Sequence, residues 1–294
     1  MGLVDNTANA ALPPKAPGAF RVLHISDIHV GIPDWQWRYL LDKRCVGRLN
    51  QRLTRQGTQN FAHLETLVHW AKQGAFDAVL CTGDLTAIGD PREFQKALEL
   101  LEPLRLACPE HFVYLPGNHD AYVPAALPPL REAFHHLNGG HLTLDDLPAA
   151  LPLGPLEIVA FSGARPCVPW LSNGELPDDE WDKLRYILTC ASSTEGKARL
   201  LASHFPILGK TGRPLSWRSR LVHWRRLWEW GEEGRYLAHC SGHVHHPFLH
   251  APHAPGAPWL IGAGSLTIRD SCAILDYNPE TKTLSPQILR LPVS

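Results

Sequence analysis

Five short polar clusters, each standing directly after a run of strand character, restrict what this chain can fold into more than any other feature. They are Asp27 with His29, Asp84, Asn118-His119-Asp120, His204, and His243 with His245. Phe20 to Ile25 is a short, largely apolar run that reads as a buried strand and stops at Ser26-Asp27. Phe76 to Cys81 leads in the same way to Gly83-Asp84, and Phe112 to Leu115 to Pro116-Gly117-Asn118. Arg199 to Ser203 leads to His204, and Tyr236 to Cys240 to Ser241-Gly242-His243-Val244-His245. Helices separate the first three. Asn60 caps a pattern in which Phe61, Leu64, Leu67, Val68 and Ala71 recur at helical spacing, with Gly74 as its stop. Asp90, Pro91 and Glu93 form an N-cap, a first-turn proline and a capping box ahead of Phe94, Ala97, Leu98 and Leu101. Alternating strands and helices with polar residues at the strand ends make an open α/β sheet, whose carboxyl edge collects the active site.

The rest of the chain continues the alternation. We expect a helix near Leu130 to Leu137, a strand over Leu156 to Phe161 and a helix over Asp178 to Leu188. A Trp-rich helix is expected from about Trp217 to Trp230, and strands over Trp259 to Leu291, with a hairpin turn at Tyr277-Asn278-Pro279-Glu280. Residues 1–18 are rich in Ala and Pro without periodicity and read as a mobile tail, which leaves residues 19–294 as one domain.

Several function classes are disfavoured. The 28 basic and 29 acidic residues nearly cancel, removing the whole-molecule attraction that a dedicated nucleic-acid binder uses. The 7 cysteines are odd in number and scattered, with no Cys-x-x-Cys, as expected of reduced packing residues in the cytoplasm. The start of the chain lacks the basic and apolar stretches of a secretory signal, and Asn6 stands where a myristoylation signal has Ser or Thr. No apolar run reaches membrane-spanning length.

Asp, Asn and His without Cys make an oxygen and nitrogen donor set suited to manganese, iron or zinc in a catalytic rather than a structural site. Asp27 with His29 and His243 with His245 are i, i+2 pairs, which project to one side of an extended segment. Gly83, Gly117 and Gly242 each precede a candidate ligand, where a small residue permits a sharp turn and close backbone approach. One histidine among 17 would mean little, but these elements occur once each, in order, at strand ends.

On these motifs the chain resembles the calcineurin-like metallophosphoesterases over about residues 20–250. The resemblance implies a four-layer α/β/β/α sandwich with two facing mixed sheets and a dinuclear centre at their edge. It implies that Asp27, His29 and His245 hold one divalent metal, that Asn118, His204 and His243 hold the other, and that Asp84 bridges them. Two such cations lower the pKa of a bridging water and clamp the phosphoryl oxygens of an ester or pyrophosphate during in-line attack. His119 is then not a ligand but faces the leaving oxygen, with Asp120 orienting its imidazole. Leu85-Thr86-Ala87 after Gly-Asp, and Asp120 after Asn-His, depart from the Ser/Thr protein phosphatases of the superfamily. The pattern is similar to bacterial small-molecule members, including cyclic-nucleotide phosphodiesterases and UDP-diacylglucosamine pyrophosphatases.

Two basic segments have no place in this ligand set. Over residues 35–55, Arg44, Arg48, Arg52 and Arg55 share one helical face, Leu41, Val46, Leu49 and Leu53 another, and Trp35, Trp37 and Tyr39 lie upstream. The string Lys43-Arg44-x-x-Gly47-x-x-Asn50 is similar to one in bacterial members of uncertain substrate. Over residues 210–230, six Lys or Arg accompany Trp217, Leu221, Trp224 and Trp228. Either the apolar residues pack the helices onto the sheet and the arginines face water, or both segments cap the metals and accept a phosphorylated amphiphile. The second reading brings peripheral contact with the inner membrane face. The contrasting classes are a scaffold that lost its chemistry, which the full ligand set argues against, and a nuclease, which rests on the basic segments alone.

Overall fold

In the computed structural model, which describes residues 7–9, 12–32, 39, 43–45, 60–190 and 197–292, strands from distant parts of the chain assemble into two sheets. The first runs, in spatial order, β1 (Thr7–Asn9), β12 (Thr283–Arg290), β11 (Ser271–Asn278), β2 (Phe20–Ile25), β3 (Ala78–Cys81) and β4 (Phe112–Tyr114). The second runs β5 (Ala149–Leu153), β6 (Leu156–Ala160), β7 (Ala198–Ala202), β8 (Ala238–Ser241), β10 (Trp259–Gly262) and β9 (Phe248–His250). In the first sheet β2, β3 and β4 are parallel, with Ile25 opposite Cys81 and Cys81 opposite Tyr114. In the second β6, β7, β8 and β10 are parallel. Antiparallel partners flank both runs, so both sheets are mixed.

The alternation of side chains along the strands makes the sandwich. Leu200, Ala202, Ala238, Cys240 and Ile261 of the second sheet join one apolar cluster with Val22, Leu23, Val79 and Leu80 of the first. Their neighbours Val159, Leu201 and Leu260 point the other way, into a separate cluster with Trp181, Leu184 and Leu188 of α4 (Asp178–Thr189) and Leu227 of α5 (Trp224–Glu232). Helices α1 (Ala62–Lys72), α2 (Pro91–Ala107) and α3 (Leu127–Leu137) pack on the first sheet through Leu64, Leu67, Phe94, Leu101, Leu130 and Phe134. The order is helix, sheet, sheet, helix, as the resemblance implies.

The start of α2 is tied to the loop that precedes it. Asp90 accepts from the Arg92 N–H at 3.0 Å, and Glu93 accepts from the Ile88 N–H at 2.9 Å and the Ala87 N–H at 3.2 Å. The capping box that stops fraying at the helix start therefore also fixes the backbone after Asp84.

Three expectations need correction. Within the expected tail, Thr7–Asn9 pair in parallel with Ile288–Arg290. The Arg21 guanidinium donates to the carbonyls of Pro13 and Pro14 at 2.7 and 3.1 Å while bonding Asp276, which draws the segment onto the fold. The Trp-rich helix begins at Trp224 and not near Trp217. Its expected first turns are captured by another partner: Leu221 bridges Gly174, and the N–H groups of Ser172 and Gly174 donate to the carbonyls of Arg218 and Arg220. Finally, in the 35–55 segment, Tyr39 is fully buried and donates to Asp90, and Arg44 is buried over the Tyr39 ring at 5.1 Å. Those two residues belong to the core, whereas Trp35, Trp37, Leu41, Val46, Gly47, Arg48, Leu49, Asn50, Arg52, Leu53 and Arg55 lie outside the described residues.

Candidate metal centre

All seven candidate ligands leave the carboxyl ends of parallel strands, and they meet where the edges of the two sheets come together. Asp27 and His29 follow β2, Asp84 follows β3, Asn118 follows β4, His204 follows β7, and His243 and His245 follow β8. Pairing continues past the strand ends, with the N–H of Asp27 on the Gly83 carbonyl at 2.9 Å and that of His29 on the Asp84 carbonyl at 2.8 Å. Two bonds stitch the sheets together at the site. The His243 N–H donates to Asp27 Oδ2 at 3.0 Å, and His204 Nδ1 donates to the Thr82 carbonyl at 2.7 Å.

The side chains form two adjoining groups. In the first, His29 Nε2 and His245 Nε2 lie 2.9 Å apart, and Asp27 Oδ1 is 3.3 Å from the latter and 3.6 Å from the former. One donor atom from each of Asp27, His29, Asp84 and His245 falls within 4.8 Å of all the others. Ligand atoms about 2.1 Å from one cation in adjacent positions stand about 3 Å apart, so this spacing suits a common ion. In the second group, Asn118 Oδ1 is 2.8 Å from His243 Nδ1 and 3.2 Å from His204 Nε2, and the two ring nitrogens are 3.3 Å apart. Asp84 Oδ2 is 3.8 Å from His29 Nε2 and 3.3 Å from His204 Nε2, so one carboxylate oxygen lies between the two groups. Asp27 Oδ1 is buried and makes no regular hydrogen bond, a cost that a cation would remove.

The backbone beneath this cage is strained. Of the eight non-glycine residues with positive φ among the described residues, Asp27, His29, Asp84, His243 and His245 are candidate ligands, at 55°, 52°, 55°, 70° and 55°. Each left-handed residue costs on the order of 1 kcal/mol and persists only where its surroundings over-determine it. The i, i+2 pairs therefore converge through left-handed turns and not through the extended strands that their spacing suggests. Hydroxyl groups hold these turns: Ser265 Oγ donates to the Asp27 carbonyl at 2.6 Å and Thr267 Oγ1 to the Ile28 carbonyl at 2.8 Å, while the Ser265 N–H donates to the His245 carbonyl at 2.8 Å. Sequence reasoning missed this segment. The available signal was its place: Gly264-Ser265 follows β10 as Gly83-Asp84 follows β3.

Two of the glycines are explained by close approach. A Cβ on Gly242 would collide with the Ser26 hydroxyl and with Asp27 Oδ2, and one on Gly117 would collide with Asp84. The bare backbone lets the two sheets close around the carboxylates.

Charge in the cage is sharply divided. Burial alone would depress His204, but the adjacent Asp84 carboxylate prevails and raises it to about 9. Burial, reinforced by the neighbouring charge on His204, lowers His243 to about 4. Burial would raise Asp84, yet His204 and His119 hold it well below the ordinary carboxylate range. Without a cation the proton held on His204 thus faces the Asp84 carboxylate, as expected of a site built for positive charge.

The resemblance has Asp120 orienting His119, and the two side chains have these hydrogen-bond partners. His119 Nδ1 is 2.6 Å from the Ala87 carbonyl, and its ring stacks on Tyr122 at 5.2 Å between centroids. The acceptor that orients the imidazole is therefore a backbone oxygen. Asp120 is fully buried and accepts from the Thr86 and Gly117 N–H groups at 2.9 and 3.0 Å and from the Thr86 and Tyr114 hydroxyls at 3.1 and 2.8 Å. Both of its oxygens are occupied in joining the two ligand loops. Burial and the nearby Asp84 charge raise Asp120 to about 6.

Above the cage lies a cleft of about 330 Å³, floored by Asp84, Asn118, His119, His243 and His245 and walled by Ser172, Leu215, Ser219 and Val244. The 210–230 segment supplies Leu215 and Ser219, whereas Trp224, Trp228 and Trp230 pack against the core outside the second sheet.

The family model for calcineurin-like phosphoesterase matches residues 20–247. The chain belongs to this family. It is a metallophosphoesterase with a buried cluster of His and Asp. Among solved structures, a dimetal phosphatase from Danio rerio superposes with a TM-score of 0.59 at 15% identity, covering 87% of this chain and 92% of that one. A purple acid phosphatase from yellow lupin (Lupinus luteus) seeds superposes with a TM-score of 0.55 at 11% identity, covering 93% of this chain and 54% of that one. At such identities the likeness shows the fold, two mixed sheets flanked by helices. No curated protein matches the sequence.

Proposed function

We propose that this phosphoesterase hydrolyses a phosphate ester or pyrophosphate bond with two divalent cations, manganese, iron or zinc. Asp27, His29 and His245 would hold one cation, Asn118, His204 and His243 the other, with Asp84 shared. The observation that carries this reading is the place of Asp84 Oδ2, between His29 of one group and His204 of the other. Such a pair supplies an activated water and a Lewis-acid clamp on phosphoryl oxygens. The protein's own groups do the rest. The two sheet edges bury the donors and fix their separation before any substrate arrives. With Nδ1–H of His119 held on the Ala87 carbonyl, Nε2 is the nitrogen that can deliver a proton to a leaving oxygen in the cleft. Asp120 acts at one remove, by holding the Asp84 and Asn118 loops in register.

The substrate reading is a phosphorylated amphiphile, such as a UDP-diacylglucosamine-like molecule, met on the cytoplasmic side of a membrane. It is supported by the apolar Leu215 and Val244 walls beside a polar floor. A cyclic nucleotide or other soluble phosphodiester is the alternative, favoured by the modest size of the cleft. The test is an activity panel on manganese-loaded protein, comparing bis-p-nitrophenyl phosphate, cyclic nucleotides, nucleotide sugars and lipid-linked pyrophosphates, with Asp84→Ala as the blank. Preference for the lipid-linked substrates supports the amphiphile; preference for cyclic nucleotides removes it. No turnover on any of them contradicts the hydrolase.

A further inference from the structure

The wall of the cleft formed by Ser172, Leu215 and Ser219 continues outward into two loops that carry most of the exposed large apolar side chains. Among the described residues these are Leu106, Val168, Trp170, Tyr186 and Trp217, and three of the five lie here. Trp170 is 67% exposed, Trp217 60% and Val168 45%. The loops are joined by the Ser172 N–H donating to the Arg218 carbonyl at 2.8 Å, so the two indoles stand two residues and one residue from the same hydrogen bond. Lys210, Arg213 and Arg218 are exposed on the second loop, and no acidic residue occurs between Lys197 and Glu229. The Arg218 guanidinium lies 5.3 Å from the Trp217 ring.

A single exposed apolar side chain is ordinary, but two indoles and a valine on two joined loops beside a cleft make the kind of exposed patch that marks an interaction surface. Trp with Lys and Arg on adjoining turns is the composition that settles at a bilayer interface, the ring at headgroup depth and the cations among lipid phosphates. Single-stranded nucleic acid also stacks on aromatic rings, but it has no use for the aliphatic Val168 and would seek a basic groove along several nucleotides. We infer that the lip formed by Val168, Trp170 and Trp217, with Lys210, Arg213 and Arg218, docks the protein on an anionic lipid bilayer and turns the mouth of the metal cleft toward the membrane surface. The purpose assigned to this docking rests on the phosphorylated-amphiphile reading, while the docking rests only on the side chains of the lip.

The test separates the two. Full-length protein is sedimented with vesicles of phosphatidylglycerol and phosphatidylethanolamine, with vesicles of phosphatidylcholine, and with the anionic vesicles in the presence of excess single-stranded DNA. In parallel, turnover of bis-p-nitrophenyl phosphate with manganese is measured without vesicles. The wild type should bind the anionic vesicles, bind phosphatidylcholine weakly, and release as salt rises. Trp170→Ala/Trp217→Ala should weaken vesicle binding by roughly tenfold or more. Its soluble-ester turnover should stay within about twofold and its melting temperature should not move, because both rings are on the surface. Lys210→Glu/Arg213→Glu should abolish the preference for anionic lipid by a route that leaves the apolar residues in place. Equal binding by wild type and both variants, no vesicle binding at all, or complete displacement by DNA would overturn the proposal whatever the esterase assay shows. Vesicle binding with no esterase turnover would leave the docking intact and sink the dimetal reading instead.

Discussion

The floor of the cleft and its lip are built by opposite rules. Every candidate ligand on the floor except His243 and His245 is buried, five sit on left-handed backbone, and their loops are held by paired amides and by the hydroxyls of Thr86, Ser265 and Thr267. On the lip, Trp170, Trp217 and Arg218 are exposed, and a few backbone bonds between two loops do the holding. A pre-arranged cage needs redundancy, because strained turns relax as soon as one support is lost. A surface that meets varied partners needs the reverse. The candidate ligands are accordingly fixed by the scaffold, whereas the lip lies on loops that the scaffold tolerates.

The floor should be most sensitive at Asp84. Asp84→Asn keeps the shape but removes the shared charge, so turnover should fall at least a thousandfold, corresponding to a loss of several kcal/mol of transition-state stabilisation. Metal content should fall with it. His119→Asn should separate the two effects: kcat drops by roughly 10²- to 10⁴-fold, as for a lost proton donor, while elemental analysis shows the wild-type metal content. If His119→Asn also empties the site, the ring is a ligand and the assignment of roles is wrong.

Supports beneath the floor should show smaller losses. Ser265→Ala removes the 2.6 Å bond to the Asp27 carbonyl and should weaken metal affinity by roughly 10- to 100-fold, with activity largely restored at saturating metal. The pH dependence points the same way. A cation needs His204 neutral, and in the cation-free protein His204 gains its proton as pH falls through about 9. Apparent affinity should therefore decline with acidification, by about tenfold per pH unit for one displaced proton, and a titration that strengthens at lower pH would contradict it. The smallest effect belongs to the lip, where Trp217→Ala should alter stability by no more than about 0.5 kcal/mol, against about 1–3 kcal/mol for Trp224→Ala. Equal shifts in melting temperature would show that the two tryptophans are not the surface and core residues described.

Much of the floor was legible in the sequence because its chemistry uses residues that are costly to leave at the end of a buried strand. Asp27, Asp84 and His204 announce themselves by burial next to apolar runs, and Asp90-Pro91-x-Glu93 marks a helix start by local rules alone. What could not be read there depends on distant backbone. Ser265 and Thr267 act through hydroxyls that make no pattern, and Asp120 looks like a partner of His119 until Thr86 and Tyr114 are brought in beside it. Residues 217–223 have helical spacing, yet the free carbonyls of that stretch find the N–H groups of Ser172 and Gly174, a competition visible only in three dimensions. The split among the tryptophans follows from that difference, with Trp224 on the helix against the core and Trp217 on the loop in water.

The proposed dinuclear centre depends on one carboxylate, Asp84, joining two metal sites. Equilibrium dialysis of the purified protein against manganese, iron(II) or zinc, followed by elemental analysis of wild type, His29→Ala and His204→Ala, tests it most directly. The wild type should bind about two equivalents per chain, each single-site variant about one, and Asp84→Ala fewer than one. Two equivalents retained by Asp84→Ala, or no more than one bound by the wild type under all three metals, would contradict it.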